Sequence, residues 1–201
     1  MRRVTRSDCL DDIVVVHQQA FPGFFMTQLG RRFLRAYYRC VVDSPQGILI
    51  AEDDNGDCVG FVAGFANPAA FYQELRRRRV RLGLAAGVGI GCRPWRLGTL
   101  LANYRRAGGF ARRAADSRTA ELSSLAVAPR AGGRGVGSRL VHAFVEAAGA
   151  QGADRILLTT DAHGNEAVNR FYLQLGFTCV RCFEARPGRW LNEYALVIRG
   201  D

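Results

Sequence analysis

A chain of 201 residues with 48% apolar side chains is long enough to build one packed domain, and no run of about 18 apolar residues marks a membrane span. All 28 basic residues are arginine, the formal net charge is +10, and residues 68–118 hold twelve of the arginines against only Glu74 and Asp116, so the whole excess is local. The absence of lysine excludes a nucleotide P-loop, which needs G-K-[ST], and no apolar h-region follows the basic start Met1-Arg2-Arg3, which points to a cytoplasmic location.

Met1–Thr5 reads as a first strand. Ser7-Asp8 reads as a helix N-cap, and Leu10, Ile13, Val14, Val16 and Ala20 form the apolar stripe of the helix that follows. His17 reads as a surface residue of that helix. A second helix is expected from Thr27 to about Val42, with Leu29, Phe33, Leu34, Tyr37, Tyr38 and Val41 three or four apart. The period then shortens: Gly47–Glu52 and Cys58–Phe65 read as strands, joined at the turn Asp53-Asp54-Asn55-Gly56-Asp57.

Residues 68–118 are too many for an ordinary connection and predict a helical insertion, with helices over Pro68–Leu82 and Pro94–Arg113 around a small apolar stretch. Strand and helix then alternate: strand Glu121–Val127, helix Val136–Ala148, strand Arg155–Thr160, helix Glu166–Leu175. Two last strands, Thr178–Glu184 and Arg189–Ile198, flank a turn at Arg186-Pro187-Gly188. The six cysteines read as reduced thiols. Cys179 and Cys182 form a C-x-x-C within a strand, where positions three apart face opposite sides, which argues against a shared metal.

The chemistry is concentrated between residues 119 and 177. After the strand ending at Pro129 comes Arg130-Ala131-Gly132-Gly133-Arg134-Gly135-Val136-Gly137-Ser138, which opens a helix. Glycines let the backbone amides turn inward together, and a new helix adds unpaired N–H groups and a positive dipole end. The product is a cradle for phosphate or pyrophosphate, to which Arg134 adds a charged donor. A flexible glycine-rich turn is the plainer alternative. Further on, Asn165 reads as a helix N-cap and Tyr172 lies two helical turns later, so both fall on one face; Gly176 ends the helix.

This order of strand, glycine loop, helix, strand, then Asn165…Tyr172…Gly176-Phe177, resembles the GNAT superfamily of N-acetyltransferases. The resemblance implies a mixed α+β domain over residues 1–201, with a six- to seven-stranded mixed central sheet flanked by helices and the arginine-rich insertion, 68–118, before the fourth strand. It implies acetyl-CoA as cosubstrate and an amine as acceptor, with no metal. The pantetheine arm would lie where the fourth and fifth strands splay, bonded to the backbone of Leu125, Ala126 and Val127. The pyrophosphate would sit on the amides of Gly132, Gly133, Arg134, Gly135, Val136, Gly137 and Ser138, with Asn165 near the cofactor.

The sequence departs from the family pattern Arg/Gln-x-x-Gly-x-Gly/Ala at Gly132, which stands where Arg or Gln is usual. Arg130 with Gly133 and Gly135 meets the pattern two residues out of frame, and Val168 stands where alanine is common. The implied mechanism is direct attack of a neutral amine on the thioester. Tyr172 is the candidate acid for the departing thiolate, and Glu121 the candidate base, with Ser123, Ser124 and His142 as weaker candidates. A bulge in the fourth strand would change which face Glu121 meets. The insertion suits an anionic acceptor, such as a nucleotide-linked amino sugar or phosphorylated metabolite, or a membrane surface or nucleic acid; a solvated flap is the plainer reading. A non-catalytic acyl-CoA sensor that holds an anionic surface is the alternative function.

Overall fold

The computed structural model describes residues 1–4, 10–77 and 118–198. The expected Ser7-Asp8 cap, the helix over 94–113 and most of the insertion lie outside them. A seven-stranded sheet runs in the order β1-β2-β3-β4-β5-β7-β6. Its strands are β1 (Arg2–Arg3), β2 (Gly47–Asp54), β3 (Asp57–Phe65), β4 (Thr119–Val127), β5 (Arg155–Asp161), β6 (Thr178–Arg186) and β7 (Arg189–Val197). All neighbours are antiparallel except β4 and β5. Among the described residues no helix is long and apolar enough to cross a membrane.

One face of the sheet carries α1 (Leu10–Ala20), α2 (Phe25–Gln28) and α3 (Arg31–Asp43), with α4 (Pro68–Arg77) leading into the insertion. The other carries α5 (Val136–Ala150) and α6 (Glu166–Gln174). Alternation in β3 serves both layers: Phe61, Ala63 and Phe65 pack with α1 and α3, whereas Val62 packs with α5; a bulge at Val59 brings that side chain to the α5 side as well. The expected single helix from Thr27 is instead two, α2 and α3. Gly30 stands between them at φ 90°, a conformation that glycine takes without steric cost and that caps α3. The β2–β3 turn follows expectation, with Asn55 and Gly56 both at positive φ.

His17 is not a surface residue. It continues the Leu10, Ile13, Val14 stripe by one turn and is 3% exposed, with Nδ1 2.7 Å from the Tyr38 hydroxyl. Burial lowers its pKa to about 4, so it is neutral at physiological pH. The two cysteines of the C-x-x-C likewise depart from expectation. A bulge at Val180 brings Cys179 opposite Tyr194 and Cys182 opposite Asn192, so both face the same side. Both are exposed, and no three potential metal ligands come together among the described residues.

Gly64 marks the tightest packing between β3 and α5. A Cβ there would fall on the Glu121 carbonyl oxygen and 2.6 Å from Cζ of Phe144. Gly64→Ala is therefore expected to cost about 3 kcal/mol of unfolding free energy, measured by urea titration, because neither a strand backbone nor a buried ring yields cheaply.

Candidate active site

The parallel β4–β5 pairing lasts three residues, Thr119 to Glu121 against Arg155 to Leu157. Beyond it β4 pairs only with β3, and β5 runs on with β7 to Asp161. The sheet is thus open between its two halves from Leu122 onward. The Ala128 N–H bonds to the Val59 carbonyl at 2.8 Å, so alternation directs the Ala126 backbone to β3 and that of Leu125 and Val127 into the gap. Leu125 and Val127 thus present their backbone groups to the gap, and Ala126 presents its own to β3.

A bulge fixes the faces of β4. Ala63 pairs with Ser124 and Gly64 with Leu122, leaving Ser123 as the extra residue. Before it, Ala120 and Leu122 face α5; after it, Leu125 and Val127 do. Glu121 therefore shares the α3 and α4 side with Ala126, and not the Leu125 and Val127 side on which an unbulged strand would place it. Two adjacent tyrosines of α3 meet the bulge. The Tyr37 hydroxyl lies 3.3 Å from Ser123 Oγ, and the Tyr38 hydroxyl bonds the Ser124 side chain.

Tyr72, in α4, donates its hydroxyl to Glu121 Oε1 at 3.0 Å. Oε2 is buried and has no hydrogen-bond partner among the described residues. Desolvation raises the Glu121 pKa to about 8, opposed by the Tyr72 bond. A carboxyl group poised there exchanges protons near neutral pH, as a general base must.

The glycine loop leaves β4 through a 3-10 turn, Pro129–Ala131. Gly133 at φ 73° and Gly135 at φ 72° turn the chain into α5. The first bond into the helix runs from the Arg139 N–H to the Gly135 carbonyl, so the amides of Val136, Gly137 and Ser138 have no intrahelical acceptor. The Gly132 N–H is already taken by the Pro129 carbonyl at 3.2 Å. Gly137 lets α5 close on α6, because a Cβ there would lie 3.3 Å from the Phe171 ring. The arginines turn toward the β2–β3 hairpin: Arg130 to Asp57 at 3.1 Å, Arg134 to Asp54 at 2.8 Å and Arg139 to Glu52 at 2.5 Å. Arg134 thus reaches from the loop to the hairpin. Its pair is solvent-exposed and so worth little, which leaves the guanidinium free to exchange partners.

Tyr172 is 5% exposed, packed among Phe171, Phe177 and Tyr194. Among the described residues no hydrogen bond reaches its hydroxyl, and burial pushes its pKa up, so it stays protonated. Asn165 stands at the N-cap position of α6 with no side-chain capping bond, and its amide is uncommitted among the described residues. Asn169, which the sequence pattern does not single out, anchors α6. Its Oδ1 accepts from Thr160 Oγ1 at 2.5 Å and from the Tyr194 hydroxyl at 3.2 Å, and its Nδ2 donates to the Asp161 carbonyl at 3.1 Å. Asn169→Ala is expected to lower stability by about 2 kcal/mol in denaturant titration, since it strands those partners. Ser123 and Ser124 lie on the Glu121 side of β4, held by the tyrosines. His142 and His163 lie on the helix α5 and in the β5–α6 connection.

Residues 10–177 match the family model described as Acetyltransferase (GNAT) family. The chain belongs to that family, whose members use acetyl-CoA and an amine acceptor. No curated protein sequence matches it. Among solved structures it is similar to an N-acetyltransferase from Staphylococcus aureus Mu50, at TM-score 0.63 and 16% identity over 98% of this chain and 97% of that one. An aminoglycoside 6′-N-acetyltransferase solved with coenzyme A gives TM-score 0.62 and 14% identity, covering 100% of this chain and 99% of that one. The ribosomal-protein-S18-alanine N-acetyltransferase of Escherichia coli gives 0.59 and 14%, covering 100% and 94%. At identities this low the likeness shows the shared fold alone.

Proposed function

We propose that the protein transfers an acetyl group from acetyl-CoA to a primary amine by direct attack. The carrying observation is the early end of β4–β5 pairing, which leaves the Leu125 and Val127 backbone facing an open gap. An amide-bearing arm fits such an edge as an added strand would. The amides of Gly133 through Ser138 suit the pyrophosphate, and the exposed arginines around them favour its charge. Asn165 is free to bond the cosubstrate near its reactive end.

Acetyl-CoA supplies a thioester carbonyl and a thiolate leaving group. Glu121 Oε2 takes a proton from the attacking amine as the N–C bond forms and the C–S bond breaks. Tyr172 donates its hydroxyl hydrogen toward the departing sulfur. Because its pKa stands above the roughly 8.5 of a thiol, a hydrogen bond to the developing charge is favoured over full proton transfer. Glu121 and Tyr172 lie on opposite faces of the sheet, and the β4–β5 gap opens to both.

The arginine-rich segment precedes β4 in the chain and supports an anionic acceptor. The test is free-thiol release from acetyl-CoA across a panel of amines, at low and high salt. Amine-dependent release, strongest for anionic amines and weakened by salt, is the expected result. Acetyl-CoA binding with no release from any amine would replace this reading with that of a sensor.

A further inference from the structure

Glu121 has two oxygens in different situations. Oε1 accepts from Tyr72, and Oε2 is buried without a donor. Among the described residues no cation pairs with the carboxylate. The titratable groups that face it are Tyr72 from α4 and Tyr37 from α3; its sheet neighbour on β5, Leu157, is apolar. Among the described residues Tyr72 is thus the one donor that stabilises the charged form.

The Tyr72 ring is well fixed. It packs edge-on against Phe65 at 5.6 Å and Phe71 at 5.7 Å, and those two rings stack at 3.7 Å. The helix carrying it is capped by Asn67, whose Oδ1 accepts the Ala70 N–H at 3.0 Å, and tied to the end of α3 by Ser44 Oγ donating to Glu74 at 2.7 Å. A hydroxyl so placed cannot follow the carboxylate if it rotates.

We propose that Tyr72 is a positioning residue for the base: it engages Oε1, turns Oε2 toward the acceptor amine, and holds the carboxylate ready to take a proton. This rests on Glu121 serving as the base. The transferred proton moves from the amine nitrogen to Oε2, while Tyr72 keeps its own, since burial and the adjacent carboxylate both raise its pKa. The connection also links the base to the helix from which the arginine-rich segment departs.

Tyr72→Phe removes the hydroxyl and keeps the ring. The acidic limb of the kcat/KM profile should move to higher pH by about 1–2 pH units, the amount one hydrogen bond to a charged group supplies. Activity at pH 7 should fall about 10- to 100-fold and recover at high pH, with KM for acetyl-CoA unchanged. A merely structural role for Tyr72 would lower activity at every pH alike. Carboxyl carbon NMR of Glu121 gives the same titration without turnover and should show the same displacement. An unmoved titration in Tyr72→Phe overturns this inference alone. Full turnover in Glu121→Gln removes the base assignment, and this inference with it.

Discussion

Tyr172→Phe is expected to lower kcat about 100-fold while leaving CoA affinity nearly unchanged. The ring lies among Phe171, Phe177 and Tyr194, so phenylalanine keeps the packing and only the hydroxyl is lost. Because that hydroxyl has no hydrogen bond among the described residues, its removal strands no partner and should not reduce stability. The effect belongs in kcat because negative charge on sulfur develops only as the C–S bond breaks. Equal loss of kcat and CoA affinity would mean that Tyr172 shapes the binding site and takes no part as a donor. The raised pKa also predicts that Tyr172 produces no basic limb below pH 10.

Glu121→Gln is expected to lower kcat/KM about 100- to 1,000-fold and to abolish the acidic limb near pH 8. In the native protein the rate should climb as pH approaches that value, because only the ionised carboxylate accepts a proton. The same burial has a consequence for stability. The folded-state pKa stands above the unfolded value of 4.5, so the folded state prefers the protonated form. The associated stability is full below about pH 4.5 and is lost as pH rises through about 8. Glutamine has no charge to bury, so the melting temperature of Glu121→Gln should exceed the native one at pH 9 by more than at pH 5. An equal difference at both would show that Glu121 is solvated in the folded protein.

Much of the architecture was legible in the sequence because it rests on local periodicity and turn chemistry. The Asn55-Gly56 hairpin and the strand–loop–helix over 119–150 depend on residues near one another in the chain, and the structure has both elements. The errors arose where tertiary contacts decide. Gly30 sits in an unbroken apolar pattern, and only its φ of 90° shows that one helix has become two. The bulges at Ser123 and Val180 add one residue against a partner strand, which no single-strand pattern contains: the first decides the face of Glu121, which the sequence left open, and the second reverses the opposite faces that alternation assigned to Cys179 and Cys182. His17 was readable, since it completes the stripe of Leu10, Ile13 and Val14, but its polarity outweighed its spacing.

The candidate site was legible in its backbone parts and less so in its side-chain partners. The glycine loop and Asn165…Tyr172 are contiguous motifs. Tyr72 meets Glu121 across 49 positions, and Tyr37 meets Ser123 across 86, so nothing local marks either tyrosine. Asn169 carried a faint signal, an amide inside an otherwise amphipathic helix, whose meaning appears only with Thr160 and Tyr194 beside it. Arg134 lies where a phosphate contact was expected, yet its partner is Asp54 on a hairpin 80 positions earlier.

The most direct test of the account is a calorimetric titration of the protein with CoA, repeated with Gly135→Val. The native chain should bind one CoA per protein molecule. The variant, which forces a β-branched side chain to φ 72° at the start of α5, should bind more weakly while retaining its fold. Absence of CoA binding by the native chain would contradict the central claim, and unchanged affinity in the variant would remove the glycine loop from the binding site.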